Sequence, residues 1–207
     1  MGAVTAPVIL VVPTRRVVGE RSVPTGLPEP QRRRWARLVR AEDRADFLAA
    51  RILAACAVQA RLGTSDQVIF AQHCAGCGAD DHGRPEVTSH RAQVSWAHAH
   101  GVVAAAAARD GDLGVDVERL HPDDVVDEGI GLTGRAFVRG EALIKAGLHD
   151  LDSALRAPLG WRWGQVREVD GYTVRDLDVG VDGFCGAVAW RTPIDNENRS
   201  NVVFTPS

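Results

Sequence analysis

Lysine is almost missing from this sequence. Of its 24 basic residues one, Lys145, is a lysine and the rest are arginine. The compact ammonium of lysine and the planar fork of arginine are not interchangeable as phosphate ligands, so a single retained ammonium draws attention to its position. Cysteine is scarce as well. Four in 207 residues, with no export signal, exclude a disulfide scaffold and predict reduced thiols in a cytoplasmic protein. No apolar run approaches the roughly 20 residues that cross a bilayer; the longest uncharged helical stretch is residues 52–60. Residues 1–12 lack a basic start followed by a long apolar core, so no signal peptide is expected. An excess of positive charge is lacking too: 24 basic residues face 27 acidic ones, net −3. That argues against a protein that coats nucleic acid or membrane. What is present, 45% hydrophobic residues over this length, suffices for a buried core in one domain or two tightly packed halves.

Along the chain, Val8 to Val12 reads as a strand and residues 19–30 as a loop. Residues 31–62 turn helical, with Glu42 and Asp43 suited to a first turn, Leu48, Ile52 and Cys56 recurring every four residues, and Gly63 as a stop. Eight arginines (32, 33, 34, 37, 40, 44, 51 and 61) make this segment a solvated face or a basic surface for phosphates. Short strands follow at 68–70, 94–96, 102–108 and 113–118, with 71–92 irregular. Asp110-Gly111 carries a hairpin signal, as do Asp170-Gly171 and Asp182-Gly183. Residues 133–146 are helical with Gly147 as C-cap, and 192–207 form a polar tail. Each half runs strand, helix, strands. The expected fold is therefore α+β, two pseudo-symmetric halves of 1–109 and 110–191, each a small antiparallel sheet packed with a long helix.

Two segments carry chemistry. On a strand through Leu113–Glu118, Val115 and Val117 point to one side and Asp116 and Glu118 to the other. Two carboxylates on one face repel unless a cation sits between them, and oxygen ligands favour Mg²⁺, which also bridges phosphates. The bland alternative is an exposed strand with both acids in water. On a helix through 137–145, Glu141 and Lys145 lie one turn apart. They form either a surface ion pair or a third metal carboxylate with an ammonium beside a phosphate. Upstream, Arg84 and His98 are candidate phosphate donors. His73, Cys74, Cys77 and His82 have the makings of a four-ligand zinc site, although one Cys-x-x-Cys with flanking histidines is a weak signal and reduced free cysteines the more ordinary reading. Neither a paired aromatic platform for nucleic acid nor a Gly-x-Ser-x-Gly hydrolase elbow is found.

In this order, HGRP (82–85), WAHAHG (96–101), GVDVE (114–118) and FVRGEALIK (137–145) resemble the motifs of the Sfp-type 4′-phosphopantetheinyl transferases. The stretch Asp-Arg-x-x-Phe-Leu-Ala-Ala-Arg at 43–51 and the Cys-x-x-Cys-Gly before HGRP add to the likeness, which covers about residues 30–150. The resemblance implies Mg²⁺-dependent transfer of phosphopantetheine from coenzyme A to a serine of an acyl or peptidyl carrier protein by a monomer. It implies Asp116, Glu118 and Glu141 as metal ligands, Glu141 also as base, and Lys145 at the phosphate under attack. Arg84 and His98, with Arg44 and Arg51 behind them, would hold the coenzyme's phosphates.

The sequence departs from that pattern in four places. Gly140 replaces a lysine, Ala97 a serine and Phe137 a tryptophan, and only 23 positions separate Glu118 from Glu141, where the family has a longer segment that contributes to carrier docking. A rival expectation follows: a divergent homologue that keeps a coenzyme A or phosphate site but no longer modifies carriers.

Overall fold

The computed structural model describes residues 6–19, 26–120, 134–148, 151–158 and 160–191. The expected tail at 192–207, part of the loop at 19–30 and the shortened segment at 121–133 lie outside these. The architecture is mixed α+β with small antiparallel sheets. The first sheet has the order β1 (Val8–Pro13), β5 (Val102–Ala108), β4 (Gln93–Ala99). The second has the order β6 (Leu113–Arg119), β9 (Phe184–Arg191), β8 (Tyr172–Leu177), β7 (Val166–Val169). A separate hairpin pairs β2 (Phe70–His73) with β3 (Arg84–Val87). The helices are α1 (Glu29–Arg37), α2 (Ala41–Leu62), α3 (Gly134–Ala146) and the short α4 (Leu151–Arg156).

Strand β5 is the hub of the first half. Alanine is a poor strand former, yet Ala104 to Ala107 are fully buried at the centre of the sheet. Their alternate side chains face two partners. Val103, Ala105 and Ala107 pack with Leu48, Ala50, Leu53, Ala57 and Val58 of α2. Ala104, Ala106 and Ala108 pack with Leu113, Val115, Val117 and Val188 of the second sheet. Small side chains on both faces let a helix and a sheet approach from opposite sides. On the far face of the second sheet, α3 contributes Val138, Ala142, Leu143 and Ala146 against Val174, Ala187 and Ala189. Helix α2, the two sheets and α3 thus stack in sequence, with three apolar seams between them. No described helix is long and apolar enough to cross a membrane.

Several expectations change. The helical run from 31 to 62 is two helices: α1 opens with Pro28 and Pro30, and Leu38 leaves the helix in an extended conformation. Ile52 is 45% exposed and Cys56 is exposed, so the four-residue repeat read from Leu48 drifts off the buried stripe, which runs instead through Phe47, Ala50, Leu53, Ala54, Ala57 and Val58. A strict spacing of four overshoots a helix of 3.6 residues per turn. Strand β2 begins at Phe70 rather than ending there, and β3 lies within the segment expected to be irregular. Asp110-Gly111 is not a hairpin. Both sides of β5 are taken by β1 and β4, so β6 has no edge to join there and crosses to β9. The tight turn of that half is His100-Gly101, both with positive φ (45° and 85°). Asp170-Gly171 does join β7 to β8, whereas Asp182-Gly183 ends a longer connection, 178–183, between β8 and β9.

Buried polar groups lock the frame. Asp46 of α2 is 4% exposed; its carboxylate accepts from Thr14 Oγ1 at 2.5 Å and from Gly101 N at 3.1 Å. It ties the helix to the end of β1 and to the β4–β5 turn. Ser95 Oγ accepts the amide of Val115 at 3.0 Å, linking β4 to β6 across the two sheets.

Candidate active site

The seam between β4 and β6, roofed by α3, opens into a cleft of about 390 Å³. Its walls come from three elements: Trp96, Ala97 and His98 on β4, Asp116 and Glu118 on β6, and Phe137, Glu141 and Lys145 on α3. The α3 residues are four apart, so one helical stripe faces the cleft while the intervening apolar positions face the sheet. The β6 acids alternate with Val115 and Val117, whose side chains are buried between the sheets, as the strand period requires. Two strand carboxylates, one helix carboxylate and the sole lysine therefore meet at one place.

The acids are not in open water. Asp116 is 4% exposed. Its Oδ1 accepts from Lys145 Nζ at 2.6 Å, and Lys145 Nζ also lies 3.4 Å from the Val115 carbonyl. Asp116 Oδ2 is buried without a hydrogen-bond partner among the described residues. A buried carboxylate oxygen without a donor is costly, and a divalent cation shared with Glu118 and Glu141 is a partner of the right charge and hardness. All three are oxygen donors, the chemistry that suits Mg²⁺, but among the described residues their oxygens do not all come within 4.8 Å of one another, so holding the ion would require these side chains to draw together.

Burial holds Asp116 above the ordinary carboxylate value, opposed by the Lys145 charge and hydrogen bond and by the nearby Val117 amide, which is not within hydrogen-bond geometry of Oδ2. Glu118 is also raised, first by burial and next by repulsion from Asp116; Lys145 and His100 oppose this, and Glu141 adds to it. A carboxyl raised in the folded state holds its proton more tightly there than in the unfolded chain. Its stabilising contribution is complete below the ordinary value of 4.5 and is lost as pH rises through the higher folded value. Glu118→Gln should therefore raise the melting temperature of the metal-free protein at neutral pH, and the gap should close in acid. Calorimetry across pH checks this; a variant that melts lower at neutral pH would contradict it.

His98 projects into the cleft with its surface open to solvent, while protein flanks enough of the ring to matter. That desolvation pushes its imidazole below the usual value; Asp46 opposes, and the Arg51 and Lys145 cations reinforce it. The structure does not bring the arginine candidates into the lining. Arg51 is 6% exposed. It donates to Gln31 Oε1, the Phe47 carbonyl and Gln72 Oε1 at 2.9–3.0 Å, and lies over the Phe47 ring (3.3 Å) and the Trp96 ring (5.1 Å). It stands behind Trp96 and ties α1, α2, β2 and β4 together. Burial, with the Arg34 charge, lowers it to about 9. Arg44 donates to the Leu38 carbonyl at 2.7 Å and stacks over Trp35, bracing the α1–α2 corner. Arg84 does not line the cleft; it sits beside Asp112 (3.6 Å) near Gly147, just past the C-terminal end of α3 that carries Lys145.

The departure at 140 acquires a physical reason. A Cβ at Gly140 would lie 2.9 Å from the Ala154 carbonyl oxygen and from a Leu155 methyl: α4 packs directly on α3 there, so no lysine fits. Arg139 does not compensate. It is 2% exposed and grips Asp176 through two hydrogen bonds of 2.7 Å, a buried pair on the side away from the cleft.

Trp96 and Phe137, which the sequence motifs do not single out as ligands, also line the cleft. Trp96 shares a strand face with His98 two positions on, and Phe137 precedes Glu141 by one turn, so periodicity alone pointed to both. Comparison of the sequence with known protein families and with curated proteins finds no match, so the functional reading rests on the motifs and on this geometry.

Proposed function

We propose that this chain is a divergent Sfp-type 4′-phosphopantetheinyl transferase that moves phosphopantetheine from coenzyme A to a serine of an acyl or peptidyl carrier protein. The observation that carries this is that Asp116, Glu118, Glu141 and Lys145 line one cleft, where a buried Asp116 oxygen has no hydrogen-bond donor among the described residues. The finer fold reading belongs to the same proposal: two pseudo-symmetric halves, α2 on the first sheet and α3 on the second, joined near Asp110. So do a monomer, a cytoplasmic setting and no nucleic-acid or membrane partner.

Phosphoryl-type transfer asks for alignment and charge neutralisation more than covalent help. In the proposed reaction the carrier serine Oγ bonds to the coenzyme's phosphorus bearing pantetheine, and the bond from that phosphorus to the bridging oxygen breaks. The adenosine 3′,5′-bisphosphate portion leaves with the electron pair. Glu141 takes the serine proton at its carboxylate. Lys145, already held by Asp116, offers its remaining N–H donors to the phosphate oxygens. His98 donates to the coenzyme's 3′-phosphate, and Trp96 and Phe137 screen the cleft from water. Asp116, Glu118 and Glu141 would hold Mg²⁺, which supplies neutralisation of the pyrophosphate charge when bound.

Lys145→Arg should lower turnover about tenfold without loss of fold, because the guanidinium cannot occupy the ammonium's compact position. Arginine at wild-type speed would make the lysine incidental.

A second reading has an observation of its own. Helix α4 fills the space where the family carries a further lysine, so one charge near the pyrophosphate is lost. A homologue that binds coenzyme A or a related phosphate ligand without modifying carriers fits that loss. One experiment separates the two: incubation with coenzyme A, Mg²⁺ and a panel of apo carrier proteins, followed by intact-mass measurement. A phosphopantetheine-sized gain on a carrier serine supports transfer. Tight coenzyme A binding by calorimetry with no gain supports the second reading, and neither result removes both.

A further inference from the structure

The β2–β3 hairpin carries a second constellation, outside the cleft. His73 pairs with Arg84 at its open end, so residues 74–83 close the loop. Two backbone hydrogen bonds fold the first part into a knuckle: Gly78 N donates to the Cys74 carbonyl at 2.8 Å, and Cys74 N to the Ala79 carbonyl at 2.9 Å. Gly83 brings the chain back with φ +101°, and a Cβ there would lie 2.2 Å from the His73 carbonyl oxygen. Only glycine allows that close return, and it delivers His82 to the thiols.

The result is a cluster in which one ligand atom each from Cys74, Cys77 and His82 lies within 4.8 Å of the others. Cys77 Sγ is 3.3 Å from His82 Nε2. Zinc bonds of about 2.3 Å to sulfur and about 2.0 Å to nitrogen put neighbouring tetrahedral ligands roughly 3.5–3.8 Å apart, so small side-chain adjustments suffice. The other ring nitrogen is already engaged: His82 Nδ1 lies 2.8 Å from Asp81 Oδ1. That is the carboxylate contact that orients a metal-bound imidazole. Asp81 is itself ion-paired with Arg37 of α1, and Arg34 donates to the Asp81 carbonyl at 3.3 Å. The loop is therefore anchored from outside.

We infer that Cys74, Cys77 and His82 bind a zinc ion, with water in the fourth position. Thiolate and imidazole donors select zinc over magnesium or calcium. The set read from the sequence contracts from four residues to three, because the His73 ring lies outside the cluster. The ion clips the loop that leads directly into Arg84 and docks against α1. This holds whether or not the chain is a transferase.

The full-length protein, purified under reducing conditions and dialysed, should retain about one zinc per chain by elemental analysis. Cobalt in its place should give a thiolate charge-transfer band and tetrahedral d–d bands. Cys74→Ser/Cys77→Ser should lose both the zinc and the bands, His82→Asn should weaken zinc binding at least about tenfold, and Asp116→Ala should keep the zinc. The inference is overturned if reduced wild-type protein neither retains zinc nor develops cobalt bands on titration. It is equally overturned if the double-serine variant holds as much zinc as wild type, or if elemental analysis and intact mass show a metal-free Cys74–Cys77 disulfide that resists cobalt after reduction. The cobalt titration of the wild-type chain decides even if the variants fail to fold.

Discussion

On the proposed function, Asp116→Ala and Glu141→Gln should each lower phosphopantetheine transfer by about a thousandfold, while the melting temperature stays within a few degrees of wild type. The two substitutions reach the same outcome by different routes. Asp116 gives one oxygen to Lys145 and leaves the other buried without a donor among the described residues, so its loss would remove a proposed metal ligand and free the lysine. Glu141 is the helix carboxylate that faces the strand pair across the cleft, and its amide neither takes a proton nor balances a divalent charge. The fold should tolerate Asp116→Ala because burial already disfavours the ionised carboxylate and the Lys145 side chain, 33% exposed, can turn its ammonium to water once its partner is gone. Carrier mass shifts over time give the rate, and thermal melting the fold. Wild-type-like rates with Mg²⁺ for either variant would remove the assigned roles. Loss of rate together with a collapsed melting temperature would make the cluster structural instead.

Gly114→Ala should destabilise the protein by about 4 kcal/mol, a fall in melting temperature of roughly 8–16 °C for a chain of this size. A Cβ at Gly114 would stand 2.0 Å from the Ala142 carbonyl oxygen and 2.5 Å from the Ala146 amide nitrogen. Both are backbone atoms of α3, so no side chain can turn aside to make room. The close approach also has a functional consequence. It lets α3 lie flat on β6 with Glu141 and Lys145 opposite Asp116 and Glu118. A methyl group there pushes the helix off the strand, and any folded fraction should lose the 2.6 Å contact between Lys145 and Asp116. Denaturant unfolding measures the loss. A variant as stable as wild type would mean that α3 and β6 do not pack backbone to backbone.

In the sequence the glycine of GVDVE is one letter of a motif. Its role is visible only once the helix is in place. The same holds for Gly140: in the sequence the missing lysine is a simple loss of charge, and in the fold α4 lies directly on the position. Arg51 shows the limit from the other side. An arginine in a basic helix reads as a phosphate donor, yet this one is wrapped by Gln31, Gln72 and two aromatic rings, because α1 and β2 return to it from distant parts of the chain.

What the sequence determined by itself is what depends on near neighbours: the alternation that turns Asp116 and Glu118 away from Val115 and Val117, the helical turn that sets Glu141 beside Lys145, and the Asp170-Gly171 hairpin. These follow from periods of two and 3.6 residues and from turn chemistry, which act within a few positions. Only the tertiary structure decided that β6 leaves β5 for β9, that α3 rests on Gly114, that Arg139 turns inward to Asp176, and that the arginines of the first half stay out of the cleft. Those outcomes depend on which surfaces meet across long stretches of chain, where the competition for sheet edges and for packing volume overrides any local preference.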